Sequence, residues 1–163
     1  MSSELRESNI RLVRRYLDAL NNWDLDAMRD MTTEDVVFEV PFRMEGFERY
    51  TRGRDRYLEL LRQASTVMID GSENLYDIFV DTLGSNPNEL YAEYKSDMKL
   101  RSGAPYRNEY VARFAVRGGR IARFAEYLNP IVLYKSMGGR IGDMSSVDNP
   151  DLLPPLLDTS VRR

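Results

Sequence analysis

Four β-rich runs in the second half of the chain, separated by short turn signals, limit the possible folds more than any other feature. The runs cover about residues 75–83, 90–100, 106–116 and 120–129. The segments between them are rich in Gly, Pro, Asn and Ser, at residues 84–88, 101–105 and 117–119. Consecutive runs joined by such short loops are typical of an antiparallel meander. We therefore expect four neighbouring antiparallel strands in one sheet.

Apolar residues at helical spacing predict three helices ahead of this sheet. They cover about residues 4–21, 24–31 and 53–65, with Asp24 as the N-cap of the second. A polar break at residues 32–35 precedes the β-rich run Val36–Val40, which Pro41 ends. The irregular segment that follows, about residues 42–52, is long and aromatic, and such loops often form the mouth or lid of a pocket.

This order of elements predicts an α+β fold. We expect a cone-shaped, curved antiparallel sheet with three helices packed on its concave face, which leaves an interior for a small ligand. The length of 163 residues suggests one domain, which we place at residues 1–138. Residues 139–163 are rich in Asp, Ser, Asn and Pro. We interpret them as an extended C-terminal arm, either disordered or crossing to a partner subunit.

Composition excludes several functional classes. The net charge of −3 argues against a nucleic-acid partner, because phosphate binding needs a basic surface. The chain has no cysteine and no histidine, which removes thiolate chemistry, the commonest general base and the commonest metal ligand. It has no signal-peptide core and no apolar run long enough to span a membrane. We therefore expect a cytoplasmic protein without a membrane partner.

One carboxylate, Glu126, lies near the end of the last β-rich run, between Ala125 and Tyr127. A carboxylate in an apolar sheet face is costly unless it is paired or has a chemical role. If Glu126 faces inward, alternation also turns inward Ala122, Phe124 and Leu128. The opposite face would then carry Arg123, Ala125 and Tyr127.

The preceding run supports this orientation, because its two faces differ in charge. The expected inward set is Tyr106, Asn108, Tyr110, Ala112 and Phe114. The expected outward set is Arg107, Glu109, Val111 and Arg113, as suits a solvated or interfacial face. The same criterion places Tyr94 and Ser96 inward on the run before it.

Several motifs, taken in order, resemble a known family. They are Val37–Phe42, Gly53–Asp55, Tyr106–Tyr110, Gly119–Ile121 and Glu126–Pro130. Together they resemble the SnoaL-like branch of the nuclear transport factor 2-like superfamily, over about residues 8–138. The last motif is similar to the Glu-Phe-Met-Asn-Pro ending of the phenazine-biosynthesis A/B proteins.

The resemblance implies an α+β cone with a deep pocket, usually in a homodimer formed through the outer sheet face. It implies enzymes that act on small organic molecules without a metal or an organic cofactor. Such enzymes include polyketide cyclases, isomerases, epoxide hydrolases and phenazine condensing proteins. Other members of the fold bind ligands or act as scaffolds without catalysis.

Only some functional residues of these families have a counterpart in this chain. The glutamate that matches Glu126 handles protons in the phenazine proteins, but their partner histidine falls at Leu60 here. The ketosteroid isomerase base falls at Val40, and the neighbouring Glu39 should point to the other face. The Arg-x-Asp motif of the epoxide hydrolases has no match, since the nearest segment begins with Lys95.

The resulting hypothesis is a SnoaL-like cyclase that closes or isomerises a polyketide-type molecule in an apolar pocket. The expected catalytic residues are Glu126, Asn108 and Tyr110. The expected substrate-binding residues are Tyr94, Phe38, Phe114, Leu128, Tyr16, Met28, Leu60 and Ala112. Burial without a cation would raise the pKa of Glu126 above its usual value of about 4.3.

Two alternatives stay open at this point. The protein could be a phenazine-type condensing or isomerising protein, or a ligand-binding or scaffold member without catalysis. In the last case Glu126 would only be paired with an arginine. The candidate partners are Arg43, Arg49, Arg52 and Arg54.

Overall fold

The computed structural model describes residues 2–140, which form a six-stranded sheet, four α-helices and one π-helical segment. The helices are α1 (Ser2–Asn21), α2 (Leu25–Met31), α3 (Arg54–Gln63) and α4 (Pro130–Ser136). The strands are β1 (Thr32–Glu39), β2 (Tyr50–Arg52), β3 (Leu75–Thr82), β4 (Glu89–Lys99), β5 (Pro105–Arg117) and β6 (Arg120–Leu128). The π-helical segment, Ala64–Met68, directly follows α3. These elements confirm the predicted α+β class.

The six strands lie in the order β2-β1-β6-β5-β4-β3. The four strands from β3 to β6 pair antiparallel with their sequence neighbours, which confirms the predicted meander. The sheet is curved and does not close on itself. Its other half differs from the expectation of a purely antiparallel sheet, because β1 runs parallel to β6. Only the short β2 pairs with β1 in the antiparallel sense.

The first strand begins earlier than predicted. The expected polar break at residues 32–35 is strand, because Thr32 already pairs with Ile121 on β6. The Oγ1 of Thr32 donates a hydrogen bond to the carbonyl of Met28, 2.9 Å away, so α2 passes directly into β1. The start of α2 matches the prediction, since Asp24 accepts a hydrogen bond from the backbone N–H of Ala27 at 3.0 Å.

The alternation predicted for the central strands is confirmed. On β5, the set from Tyr106 to Phe114 that we expected inward is buried, and the alternating charged set is exposed. On β4, Tyr94 and Ser96 are buried, as the charge criterion indicated. The two strands are in register, with Tyr94 opposite Tyr110.

One inward prediction on β6 is wrong. Phe124 pairs with Phe114, but Val116 pairs with Ile121, so Ala122 is an extra residue in a β-bulge. The bulge reverses the inward and outward faces of the β6 residues that precede Ala122. Ile121 is therefore fully buried, and Ala122, which we expected inside, is only half-buried.

Aromatic side chains fill the core between α1, α3 and the sheet. The rings of Phe114 and Phe124 stack with centroids 4.8 Å apart, and the ring of Tyr16 meets both edge-on. Phe38 stacks on Tyr57 at 4.9 Å. The filled core ends at Phe124, since the next inward residue along β6 lines a cavity.

On the opposite face of the sheet, Glu39 joins three segments of the chain. Its side chain is 3% exposed and pairs with Arg49 on the β1–β2 loop at 3.0 Å and with Arg123 on β6. Arg123 belongs to the outward set of β6, so Glu39 faces away from the interior, as predicted. Burial opposes ionisation of Glu39, but hydrogen bonds from Arg123 and Arg49 outweigh it and hold its pKa below the usual value.

Nearly all of the predicted arm at residues 139–163 lies outside the described residues, and the division of the chain at residue 138 stays a prediction. Among residues 2–140, no helix combines the length and the apolar character that crossing a membrane requires.

Candidate active site

A cavity of about 400 Å³ lies between the sheet, α3, the π-helical segment and the β1–β2 loop. This volume falls within the range of pockets that enclose small organic ligands. Apolar side chains form most of the wall, and the charged lining residues are Arg43, Glu48, Glu73 and Glu126. The β1–β2 loop forms the mouth, since its lining residues Phe42 and Phe47 are 59% and 42% exposed.

Glu126 reaches this cavity from β6. It is half-buried, and the hydroxyl of Tyr94 on β4 donates a hydrogen bond to its Oε1. Burial disfavours the charged carboxylate and raises the pKa of Glu126 to about 7, although the hydrogen bond from Tyr94 lowers it. A carboxyl with this pKa can both accept and donate a proton near neutral pH.

The arginines considered as partners of Glu126 are engaged elsewhere. Arg49 pairs with Glu39, and Arg54 lies 3.9 Å from Glu34. Arg43 donates a hydrogen bond to the carbonyl of Phe47 at 3.0 Å, and the guanidinium of Arg52 lies over the ring of Tyr50. Within residues 2–140, Glu126 forms no ion pair. The raised pKa of Glu126 is thus not offset by a neighbouring cation.

Tyr110 lines the cavity, and its ring stacks on the ring of Tyr94 with centroids 4.9 Å apart. The hydroxyl of Tyr110 forms a hydrogen bond with Ser96 at 3.1 Å and donates to the hydroxyl of Tyr106 at 3.3 Å. Tyr94 is 2% exposed and is not part of the cavity wall. Tyr94 therefore acts on the cavity through the hydrogen bond that it donates to Glu126.

Asn108 lies apart from the cavity wall and is 2% exposed. Its amide nitrogen donates to the hydroxyl of Tyr106 at 2.9 Å and to the carbonyl of Asn129 at 3.1 Å. Its amide oxygen accepts from the backbone N–H of Asn129 at 3.1 Å and of Glu109 at 2.8 Å. The two bonds to Asn129 join β5 to the start of α4, the other two lie within β5, and this geometry gives Asn108 a structural role.

The other predicted site residues divide into two groups. Those that line the cavity are Phe38, Leu60 and Leu128, together with Tyr110 and Glu126. Those packed behind the wall, each no more than 2% exposed, are Tyr16, Met28, Tyr94, Ala112 and Phe114. Alternation in the sequence indicates which face of a strand a side chain occupies, but not how deep the ligand space extends.

A second carboxyl in the cavity, Glu73, was missed at the sequence level. It lies in the loop between the π-helical segment and β3, and its side chain is half-buried. Burial and the charge of Glu126 raise the pKa of Glu73 well above its usual value. The only signal in the sequence is an acidic residue shortly before a β-rich run, which is common in surface loops.

Trp23 also lines the cavity, at the turn between α1 and α2. Its backbone φ of 55° is unusual for a residue other than glycine. Its indole Nε1 donates a hydrogen bond to the carbonyl of Gly71 at 2.9 Å, which ties the turn to the loop that carries Glu73. Residues 2–140 contain no group of three or more acidic side chains arranged to hold a metal ion.

Several known proteins resemble this chain in sequence or in fold. The uncharacterized protein YesE of Bacillus subtilis (strain 168) is 24% identical over 128 residues, which are 78% of this chain and 85% of YesE. A candidate isomerase from Bacillus subtilis superposes with a TM-score of 0.72 at 23% identity, covering 83% of this chain and 96% of that protein.

Two further solved structures share the fold. A phenazine biosynthesis-related protein from Pseudomonas aeruginosa has a TM-score of 0.74 at 20% identity, with 91% of this chain and 97% of that protein covered. A candidate polyketide cyclase from Xanthomonas campestris pv. campestris has a TM-score of 0.70 at 25% identity, with 81% and 98% covered. In addition, the family model of the SnoaL-like domain matches residues 13–124. The chain therefore belongs to the SnoaL-like domain family.

Proposed function

We propose that the protein is a cofactor-independent enzyme that closes or isomerises a ring in a polyketide-type small molecule, with Glu126 as general acid and base. One observation carries this proposal. A carboxyl with a pKa of about 7 lines an apolar cavity, accepts a hydrogen bond from Tyr94 and has no counter-ion within residues 2–140.

In a ring closure of the aldol type, the Glu126 carboxylate removes a proton from a carbon beside a carbonyl group. The resulting enolate carbon attacks a second carbonyl carbon of the same molecule, and a carbon–carbon bond forms. The new alkoxide takes the proton back from Glu126, which restores the carboxylate. A positioned acid–base residue contributes about 10²–10⁴ in rate.

The shape of the cavity supports the same chemistry. Aromatic and aliphatic walls around Phe38, Leu60 and Leu128 would confine a flexible chain so that its reactive ends meet. Such confinement lowers the entropic part of the barrier without any catalytic side chain. The structural likeness to a candidate polyketide cyclase supports this substrate class.

A phenazine-type condensing or isomerising activity is the second candidate. The likeness to the Pseudomonas aeruginosa protein favours it, as does the Glu126–Pro130 motif. Leu60, which the resemblance aligned with the partner histidine, lines the cavity wall and cannot transfer a proton. Any such activity would need a different proton partner. A ligand-binding or scaffold role without catalysis is the third candidate.

We also propose that the protein forms a homodimer through the outer sheet face. Tyr76, Phe79 and Val111 are 45%, 47% and 46% exposed, and the strand register places them on that face. The cytoplasmic location stays a prediction from the sequence.

The test of the catalytic proposal compares Glu126→Gln with the wild type on a linear diketone whose intramolecular aldol reaction gives a cyclic β-hydroxy ketone. We expect a loss of about 10²–10⁴-fold in turnover, because glutamine cannot transfer the proton. Glu4→Gln is the matched control, since Glu4 is exposed at the start of α1. An unchanged rate in a folded Glu126→Gln variant would refute the role of Glu126.

A further inference from the structure

Two carboxyl groups line the same cavity, and they arrive from different parts of the chain. Glu126 projects from β6, and Glu73 lies in the loop before β3. We propose that Glu73 is a second proton-transfer residue of this site, which gives a proton to the substrate oxygen as Glu126 removes one from carbon. This inference rests on the proposed function, because it assigns the acid that complements the Glu126 base.

The loop that carries Glu73 is held in place by the α1–α2 turn. The backbone N–H of Glu73 donates to the carbonyl of Asn21 at 3.2 Å. The side-chain oxygen of Asn21 accepts from the backbone N–H of Leu75 at 2.8 Å. Trp23 donates to the carbonyl of Gly71 at 2.9 Å. Hydrogen bonds thus hold the loop before, at and after Glu73, which positions its carboxyl for chemistry.

The surroundings of the two carboxyls assign them different roles. Glu126 accepts a hydrogen bond from Tyr94, which stabilises its ionised form. The carboxyl of Glu73 accepts no hydrogen bond from residues 2–140, and two negative charges in one apolar cavity repel each other. Glu126 is therefore the group that ionises first, and Glu73 is the group that keeps its proton. The pKa of Glu73, raised by burial and by the charge of Glu126, agrees with this order.

Five buried phenols and two exposed charged groups at the mouth surround the pair. They are Tyr16 on α1, Tyr57 on α3, Tyr94 on β4, Tyr106 and Tyr110 on β5, and Arg43 and Glu48 at the mouth. Burial raises the pKa of Tyr106 to about 12 and holds the pKa of the other four phenols above its usual value. The phenols stay neutral while the two carboxyls titrate. Arg43 and Glu48 are exposed to solvent at the mouth.

The paired step balances without any further reactant. The Glu126 carboxylate takes a proton from the carbon beside a carbonyl group, and the electron pair of that C–H bond forms a carbon–carbon double bond. The electron pair of the carbonyl π bond takes the proton of Glu73, so a neutral enol forms in place of a costly enolate. Glu126 then returns its proton to a different carbon, and Glu73 recovers the enol proton. Both carboxyls end as they began, and the substrate has been isomerised.

The first experiment needs no substrate. The side-chain carboxyl carbons of ¹³C-labelled glutamate are followed by NMR through a pH titration of the wild type, Glu73→Gln and Glu126→Gln. We expect Glu73 to titrate at higher pH than Glu126 in the wild type, and its midpoint to move to lower pH in Glu126→Gln. A wild-type Glu73 that titrates no higher than Glu126, or a midpoint unmoved in Glu126→Gln, would overturn the proposal.

The second experiment follows the conversion of a β,γ-unsaturated cyclic ketone to its conjugated isomer across pH. The wild-type rate should rise as Glu126 ionises and fall as Glu73 loses its proton, which gives a bell-shaped profile. Glu73→Gln should lower kcat by about 10²-fold or more, lose the alkaline limb and leave KM nearly unchanged. A Glu73→Gln enzyme with the wild-type profile, beside an inactive Glu126→Gln enzyme, would overturn the role of Glu73 and leave the proposed function intact.

Discussion

The pKa of Glu126 predicts that Glu126→Gln makes the protein more stable as it makes it less active. Burial raises the pKa of Glu126 from 4.5 to about 7. The folded state therefore holds the proton more tightly than the unfolded chain does. The contribution of Glu126 to the free energy of unfolding is fully present below pH 4.5 and is lost as the pH rises to about 7.

The size of the effect follows from the same pKa. Each pKa unit corresponds to about 1.4 kcal/mol, so ionised Glu126 lowers the free energy of unfolding by about 3 kcal/mol above pH 7. Glutamine has nearly the same shape and carries no charge at any pH. We therefore expect Glu126→Gln to match the wild type at about pH 4 and to exceed it by about 3 kcal/mol at about pH 8.

Urea unfolding at several pH values measures this difference directly. Glu73 complicates the comparison, because its pKa falls when the charge of Glu126 is removed and its own ionisation then destabilises the variant. The comparison is therefore made in the Glu73→Gln background, where Glu126 is the remaining cavity-wall carboxyl outside the mouth. The reasoning would be refuted if the free energy of unfolding depended on pH in the same way with glutamate and with glutamine at position 126.

Three other substitutions test a hydrogen bond, the cavity and an ion pair. Tyr94→Phe removes the hydrogen bond that Tyr94 donates to Glu126, which is worth about 1.5–3 kcal/mol. The pKa of Glu126 should then rise, so the acid limb of the pH–rate profile should move up by about 1–2 pH units. An unmoved limb would contradict the effect of this hydrogen bond on Glu126. Leu60→Trp fills the cavity from a position that is 40% exposed, so turnover should fall more than stability, as parallel rate and urea measurements would show. Glu39→Gln removes the charge that pairs with Arg123 and should lower the free energy of unfolding by about 2 kcal/mol in urea, with turnover measured alongside.

The meander and its faces could be predicted because their signals are local. The turn at Gly118–Gly119 lies where the sequence indicated it, between β5 and β6. Alternating charged residues on β5 predicted its buried face, because a charge on the wrong face would be desolvated without a partner. This alternation predicted the inward direction of Glu126, two residues beyond the buried Phe124.

Features that depend on distant contacts could not be predicted in this way. The parallel pairing of β1 with β6 joins segments about 85 residues apart, and no sequence periodicity encodes it. The bulge at Ala122 breaks the alternation within β6, and the adjacent apolar residues Ile121 and Ala122 do not indicate which of them faces inward. Asn108 was expected at the catalytic centre, but its hydrogen-bonding groups bond instead to neighbouring backbone and to Tyr106.

The sequence by itself determined the class of fold, the order of the central strands and the face that carries Glu126. Turn residues and two-residue periodicity act over a few positions and need no knowledge of the partner. Only the tertiary structure decided where packing ends and the cavity begins. It also brought Glu73 to the same cavity as Glu126, because the turn after α1 holds the loop before β3. The shared burial of two carboxyls, on which the proposed chemistry rests, is a property of the folded chain alone.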